Sequence, residues 1–152
     1  MQKISPFLWF DTQAQEAAEY YVSLFPNSRI THIAPGPDGK AMTVGFELDG
    51  QVFTALNGGP HFTFNEAVSF VVRCADGAEV DRYWNTLTRD GGKESQCGWL
   101  KDRYGLSWQI VPQEFLDLMG SPDREAAGRM FAAMMQMKKL DIAQLKAAFE
   151  GK

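Results

Sequence analysis

At 152 residues, with 45% hydrophobic and 22% charged side chains and a formal net charge of −4, the chain has the make-up of an ordinary globular protein, long enough to bury about 68–70% of the surface its unfolded form exposes. Lys and Arg are scattered and form no basic run, which removes nucleic acid and anionic lipid surfaces from the expected partners. Cys74 and Cys97, 23 positions apart and the only cysteines, make neither a disulfide framework nor a zinc cluster. With no leader pattern and no apolar run near the roughly 18 residues of a membrane span, a reducing, cytoplasmic setting is expected.

Residues 3–10 are rich in Phe, Leu and Trp and too short for a helix, so they read as a buried strand ending at Asp11. From Gln13 to Phe25 the apolar residues Ala14, Ala17, Ala18, Tyr21, Leu24 and Phe25 recur at helical spacing, and Pro26-Asn27 ends the run. Strands are expected at Ser28–Ala34, at Ala41–Leu48 after the Pro35–Gly39 turn, and at Gln51–Leu56 after the hairpin step Asp49-Gly50. Beyond the Asn57–Asn65 loop the order begins again, with a strand at Glu66–Cys74, a helix at Ala78–Thr88, and strands at Ser95–Lys101 and Leu106–Val111. After Pro112 the pattern turns helical. Ser121-Pro122 is a start signal for a Met-rich helix carrying Met130, Phe131, Met134 and Met135, and Asp141 can cap a last short helix. A methionine stripe of this kind reads as core or an oligomer contact.

The two strand-helix-strand runs are copies. At an offset of 63, Phe7 meets Phe70, Glu16 meets Glu79, Tyr20 meets Tyr83, Tyr21 meets Trp84 and Leu24 meets Leu87; at an offset of 55, Gly50 meets Gly105, Phe53 meets Trp108 and Leu56 meets Val111. The second copy has thus lost eight residues from its middle. A unit repeated only twice does not build a solenoid, so the halves are expected to close around a shared pocket. The expected division is 1–62 for the first unit, 63–113 for the second and 114–152 for a helical extension, in one compact domain.

Two successive βαβββ units, together with the runs Pro6-Phe7-Leu8-Trp9-Phe10-Asp11, Ala55-Leu56-Asn57-Gly58-Gly59-Pro60 with Phe62, Cys97-Gly98-Trp99-Leu100-Lys101-Asp102 and Tyr104-Gly105-Leu106-Ser107-Trp108-Gln109-Ile110-Val111-Pro112, resemble the vicinal oxygen chelate superfamily of glyoxalases, bleomycin-resistance proteins and extradiol dioxygenases. Within it the chain is similar to the PhnB-like group named for a 3-demethylubiquinone-9 3-methyltransferase domain. The resemblance implies an α+β fold of paired βαβββ units, the glyoxalase/bleomycin-resistance fold, with added C-terminal helices, and a homodimer. In the superfamily's metalloenzymes two His and two Glu from the first and last strands of each unit hold a divalent metal. Those places fall near Pro6, Thr54, Ser69 and Gln109 here, and none is an acid or an imidazole. Zinc, nickel and iron want imidazole, thiolate or carboxylate, so no metal and no cofactor is expected. The methyltransferase name finds no glycine-rich nucleotide turn after a first strand either; Gly58-Gly59 and Gly91-Gly92 read as turn glycines.

The expected function is metal-free binding of a small molecule in an apolar cleft. Thr54, Asn57, Ser69 and Gln109 are the pocket-facing polar groups, with Trp99 and Phe62 as walls, since strand alternation turns Trp108 away from the face of Gln109. The alternatives are an atypical enzyme built on His61 or Cys97, and the methyltransferase of the family name. His32, on a strand, reads as an ordinary strand position, and Asp11 and Asp102 read as turn carboxylates. Glu47 and Glu66 show no partner in the sequence.

Overall fold

A computed structural model describes residues 2–152, which fall into two compact units, 2–64 and 65–152. The first contains β1 (Phe7–Phe10), α1 (Ala14–Leu24), β2 (Arg29–Pro35), β3 (Ala41–Leu48) and β4 (Gln51–Asn57). They form one sheet in the order β1-β4-β3-β2, with β1 parallel to β4 and the rest antiparallel. The second unit repeats the plan with β5 (Ser69–Cys74), α2 (Gly77–Leu87), β6 (Lys93–Glu94), β7 (Trp99–Lys101) and β8 (Ser107–Pro112), ordered β5-β8-β7-β6 with β5 parallel to β8. It continues into α3 (Gln113–Met119), α4 (Arg124–Met134) and α5 (Ile142–Phe149).

Each sheet buries one face under its own helix. In the first unit α1 presents Ala14, Ala17, Ala18 and Tyr21 to Leu8, Phe10, Val44, Phe46, Phe53 and Ala55, all buried, and Tyr21, Phe46 and Phe53 stack in turn. In the second, Val80, Tyr83, Trp84 and Leu87 of α2 are buried with Leu100, Trp108 and Ile110. The helix repeat at offset 63 therefore holds in three dimensions. The strand repeat needs one more residue. Thr54 and Gln109 are equivalent at offset 55, and their parallel partners are Phe7 and Val71, which makes the offset 64 and places Phe7 opposite Val71 rather than Phe70. The slip arises because three residues separate β1 from α1 but only two separate β5 from α2. Strand alternation then puts Ser5 and Phe7, not Pro6, on the face away from the helix.

Three expectations change. The first strand starts at Phe7, not residue 3, because β1 is an edge strand whose ladder with β4 begins there. The expected strand Ser95–Lys101 is a short hairpin instead: Lys93 pairs with Lys101 and Glu94 with Leu100, and the chain reverses at Cys97 (φ 61°) and Gly98 (φ 85°). The turn is held from outside the repeat, with Cys97 N donating to Met137 O at 2.7 Å and Gly98 N to Lys138 O at 2.8 Å. Finally, α4 is capped by Asp123, which accepts from Ala126 N, and not by Ser121, whose hydroxyl accepts from Asp123 N; α3 begins directly after Pro112, where the pattern turned helical. Asp141 caps α5 as expected. Val111, Met130, Met134, Leu140 and Leu145 form the core beneath these helices.

Candidate functional site

The sites were expected on the sheet faces that the helices α1 and α2 leave alone. On the first sheet that face carries, along one cross-strand row, Phe7, Thr54, Gly45 and His32. A register shift between Ile30 and His32 marks a bulge, and both Thr31 and His32 lie over Gly45: a Cβ added there would meet His32 Cε1 at 2.2 Å and Thr31 Oγ1 at 2.7 Å. Bulges re-aim side chains in this way. His32, expected to be an ordinary strand position, thus sits on the same face as Thr54. One row along is Trp9, paired with Leu56. The loop after β4 folds onto this indole. Trp9 Nε1 donates to Gly59 O at 2.9 Å, Phe62 meets the ring edge-on at 4.9 Å and His61 at 6.4 Å. Gly58 is required because a Cβ would fall 2.3 Å from the indole. Phe62 remains 65% exposed, so it stands as an apolar surface beside His61.

Asn57 does not join this face. It pairs with Phe10 on the α1 side; its Oδ1 accepts from Ala14 N at 2.8 Å and its Nδ2 donates to Ala41 O at 3.0 Å. Gln13, at the N-cap position, makes no side-chain cap bond, so Asn57 supplies from the neighbouring strand the acceptor that the helix's first amides need. Both ends of its amide are in use. It is a structural residue, and its expected place among pocket-facing groups is corrected.

On the second sheet the face away from α2 carries Ser69, Gln109 and Trp99. Gln109 Nε2 donates to Ser69 Oγ at 3.0 Å, and Trp99 is the antiparallel partner of Gln109. Trp108 points to the other face, as alternation required. There it is 3% exposed, with its Nε1 donating to Asp102 Oδ2 at 2.9 Å. Asp102, itself 2% exposed, also accepts from Tyr104 N and Leu106 N at 2.8 and 3.1 Å. The turn role expected for it holds.

Next to Trp99 is a pocket of about 220 Å³ lined by Glu66, Lys93, Ser95, Trp99, Lys101 and Ser107 among others. Lys101 pairs with Glu66, whose carboxyl this ammonium holds below the usual carboxylate range, and Glu47 pairs with Arg29 at 3.2 Å. Both glutamates that showed no partner in the sequence have one. The lysines and Glu66 carry no sequence motif; Lys93 and Lys101 meet through strand register and Glu66 reaches Lys101 from the loop before β5.

Cys97 and His61, the two catalytic candidates, belong to different units. The Cys97 thiol lies 3.7 Å from Met135 Sδ and packs against the core of the C-terminal helices, and its turn geometry is structural. Cys74 is fully buried, and burial pushes its thiol up to about 12, which makes it inert as a nucleophile. A divalent metal of the superfamily kind does not fit the residues at the corresponding places. They are Ser5 or Phe7 with Thr54 in one unit and Ser69 with Gln109 in the other, a set without carboxylate or imidazole, two of whose members already bond each other. Among the described residues no group of three or more His, Cys, Asp or Glu could hold a metal ion.

Two four-stranded sheets, each with its first strand parallel to its last and a helix on one face, define the glyoxalase/bleomycin-resistance fold. A solved glyoxalase-related enzyme from Fulvimarina pelagi has it at 12% identity, with a TM-score of 0.50 over 74% of this chain and 88% of its own. Residues 2–111 match the family model described as 3-demethylubiquinone-9 3-methyltransferase, and the chain belongs to that PhnB-like family. The structure of a PhnB protein from Bacillus cereus, named for the same methyltransferase, is similar at 32% identity with a TM-score of 0.68, over 73% of this chain and 99% of that one. A Pseudomonas aeruginosa protein is similar at 18% identity with a TM-score of 0.61, over 74% and 98%. No curated protein matches at a significant level. Among the described residues no helix is long and apolar enough to cross a membrane.

Proposed function

We propose that the protein is a metal-free small-molecule binding protein, with Thr54 as polar anchor and Phe62 as apolar wall on the first unit, and Ser69 and Gln109 as anchors and Trp99 as wall on the second. The observation that carries this reading is the donor set. Where a metalloenzyme of this fold would present charged or imidazole ligands, the chain presents two hydroxyls and an amide, with Gln109 bonded to Ser69. Neutral hydrogen-bonding groups beside aromatic surfaces are the make-up of a ligand site, which is mostly apolar with a few placed polar atoms. The family resemblance adds a homodimer, and the two free thiols suit a reducing cytoplasm.

Native mass spectrometry of the purified full chain tests the reading in one measurement. A dimer mass carrying a substoichiometric or stoichiometric organic adduct and no retained transition metal is expected. One transition ion per chain surviving dialysis against a chelator would overturn it. A second reading, an enzyme using His61, is favoured by that side chain's place beside Trp9 and Phe62. The methyltransferase of the family name is tested by calorimetric titration with S-adenosylmethionine, where the binding reading expects no saturable heat.

A further inference from the structure

We infer that the pocket on the second sheet seats a small organic acid, its carboxylate held by Lys101 and Lys93 above Ser107; this rests on the small-molecule reading and gives the ligand a chemical class.

The register makes the case. Lys93, Lys101, Ser107 and Ser69 are consecutive partners across β6, β7, β8 and β5, so two ammonium groups and two hydroxyls share one row on one face. Like charges directly opposite each other on antiparallel strands are unfavourable, and this pair of strands is only two and three residues long. Among the described residues one carboxylate pairs with these two lysines. Glu66 pairs with Lys101, whereas Glu94 turns to the opposite face, where it accepts from Trp84 Nε1 at 3.0 Å. The row therefore keeps an excess positive charge.

Beside it lies an unmade bond. Ser107 is 1% exposed, and its Oγ is the single buried side-chain polar atom without a hydrogen-bond partner among the described residues. Buried hydroxyls are normally satisfied, and this one lines the pocket. A ligand oxygen brought in by the lysines would accept from it. At about 220 Å³ the pocket is below the usual range of about 300–1,000 Å³ for drug-sized ligands, which limits the ligand to a small acid, and Trp99 offers its body a flat apolar wall.

Glu66 shows what the seat accepts. It is a carboxylate on Lys101, it lies outside the strands, and its side chain is 64% exposed. A ligand carboxylate would take its place on Lys101 while Glu66 swings to water. Removing the charge of Lys101 and removing that of Glu66 then move affinity in opposite directions, which a merely structural ion pair would not produce.

Titrating the full chain with benzoate at low ionic strength tests this. Saturable binding is expected for the wild type, at least about tenfold weaker for Lys101→Met, as for loss of one charge-assisted hydrogen bond, and tighter for Glu66→Gln. Benzamide, which has the same ring without the charge, should not compete, and inorganic phosphate should bind more weakly than benzoate. No benzoate binding, equal binding of benzamide, tighter binding of phosphate, or a Glu66→Gln variant that is unchanged or weaker would each overturn the inference. A protein that retains a neutral compound in native mass spectrometry yet ignores benzoate would keep the small-molecule reading and lose this one.

Discussion

Replacing Asp102 separates the part of the second unit that holds its shape from the part that faces a ligand. The carboxylate is 2% exposed and accepts hydrogen bonds from Tyr104 N at 2.8 Å, Leu106 N at 3.1 Å and Trp108 Nε1 at 2.9 Å. Asp102→Ala removes the acceptor of all three, two of them on residues that are themselves buried. Each buried donor left without an acceptor costs about 1–3 kcal/mol, so a loss of about 3–5 kcal/mol is expected, a large part of the roughly 5–15 kcal/mol that holds a typical domain together. Asp102→Asn keeps Oδ1 for the two amides but turns an NH₂ toward the indole N–H; about 2 kcal/mol is expected there. Urea unfolding followed by tryptophan fluorescence measures both, through the midpoint at constant slope. In a Trp108→Phe background the donor facing Oδ2 is gone, so Asp102→Asn should cost clearly less, the difference being the coupling of the pair. A wild-type midpoint for Asp102→Asn, or an equal cost in both backgrounds, would refute the reasoning.

Asn57→Ala should lower stability by about 2 kcal/mol through loss of the bonds to Ala14 N and Ala41 O, while leaving affinity for any retained small molecule unchanged; a selective affinity loss at unchanged melting temperature would return Asn57 to the site. Gly58→Ala, whose new Cβ would fall 2.3 Å from the Trp9 ring, should cost about 1–3 kcal/mol as overpacking, read from the thermal midpoint. The Cys74 thiol, pushed up to about 12 from an ordinary 9.0, stays protonated in the fold after the unfolded chain has begun to ionise. Its contribution is therefore fully present below about pH 9 and is lost as pH rises toward 12, at up to about 1.4 kcal/mol per pH unit. Unfolding the wild type and Cys74→Ala in urea at pH 8 and pH 10.5 checks this: the wild type should lose more stability than the variant over that interval.

The helices and long strands were readable because their periodicity is strong. Tyr21 and Trp84 occupy equivalent buried places, and β3 begins and ends where the alternation of Met42, Val44, Phe46 and Leu48 put it. The short pieces were not readable. A two-residue β6 has no period to detect, and its pairing with β7 is decided by the turn at Cys97 and Gly98 and by Met137 and Lys138, some 40 positions away. The site was legible in its alternation, which put Gln109 and Trp108 on opposite faces. It was illegible wherever an amide had two possible employers. Asn57 reads in sequence as a free polar group beside a glycine loop, and only the packing of α1 against β4 reveals that its amide is already committed. The row of Lys93, Lys101 and Ser107 is invisible for the same reason: register between strands is a tertiary property, and the one-residue slip between β1 and β5 shows how easily it is misjudged from the repeat alone.

The abbreviated hairpin of the second unit has a further bearing on how this protein diverges from its relatives. Where the first unit has strands of 7 and 8 residues, the second has 2 and 3, too few to be stable as a free ribbon. The segment Met137–Leu140 acts as a splint, fixing the bend through two amide bonds and laying Leu140 within 3.1 Å of the Cβ that Gly98 lacks. The splint lies beyond residues 2–111, the part of the chain that matches the family model. Changes in the connection between α4 and α5 would thus shift the hairpin that carries Trp99 and Lys101 without touching either side chain.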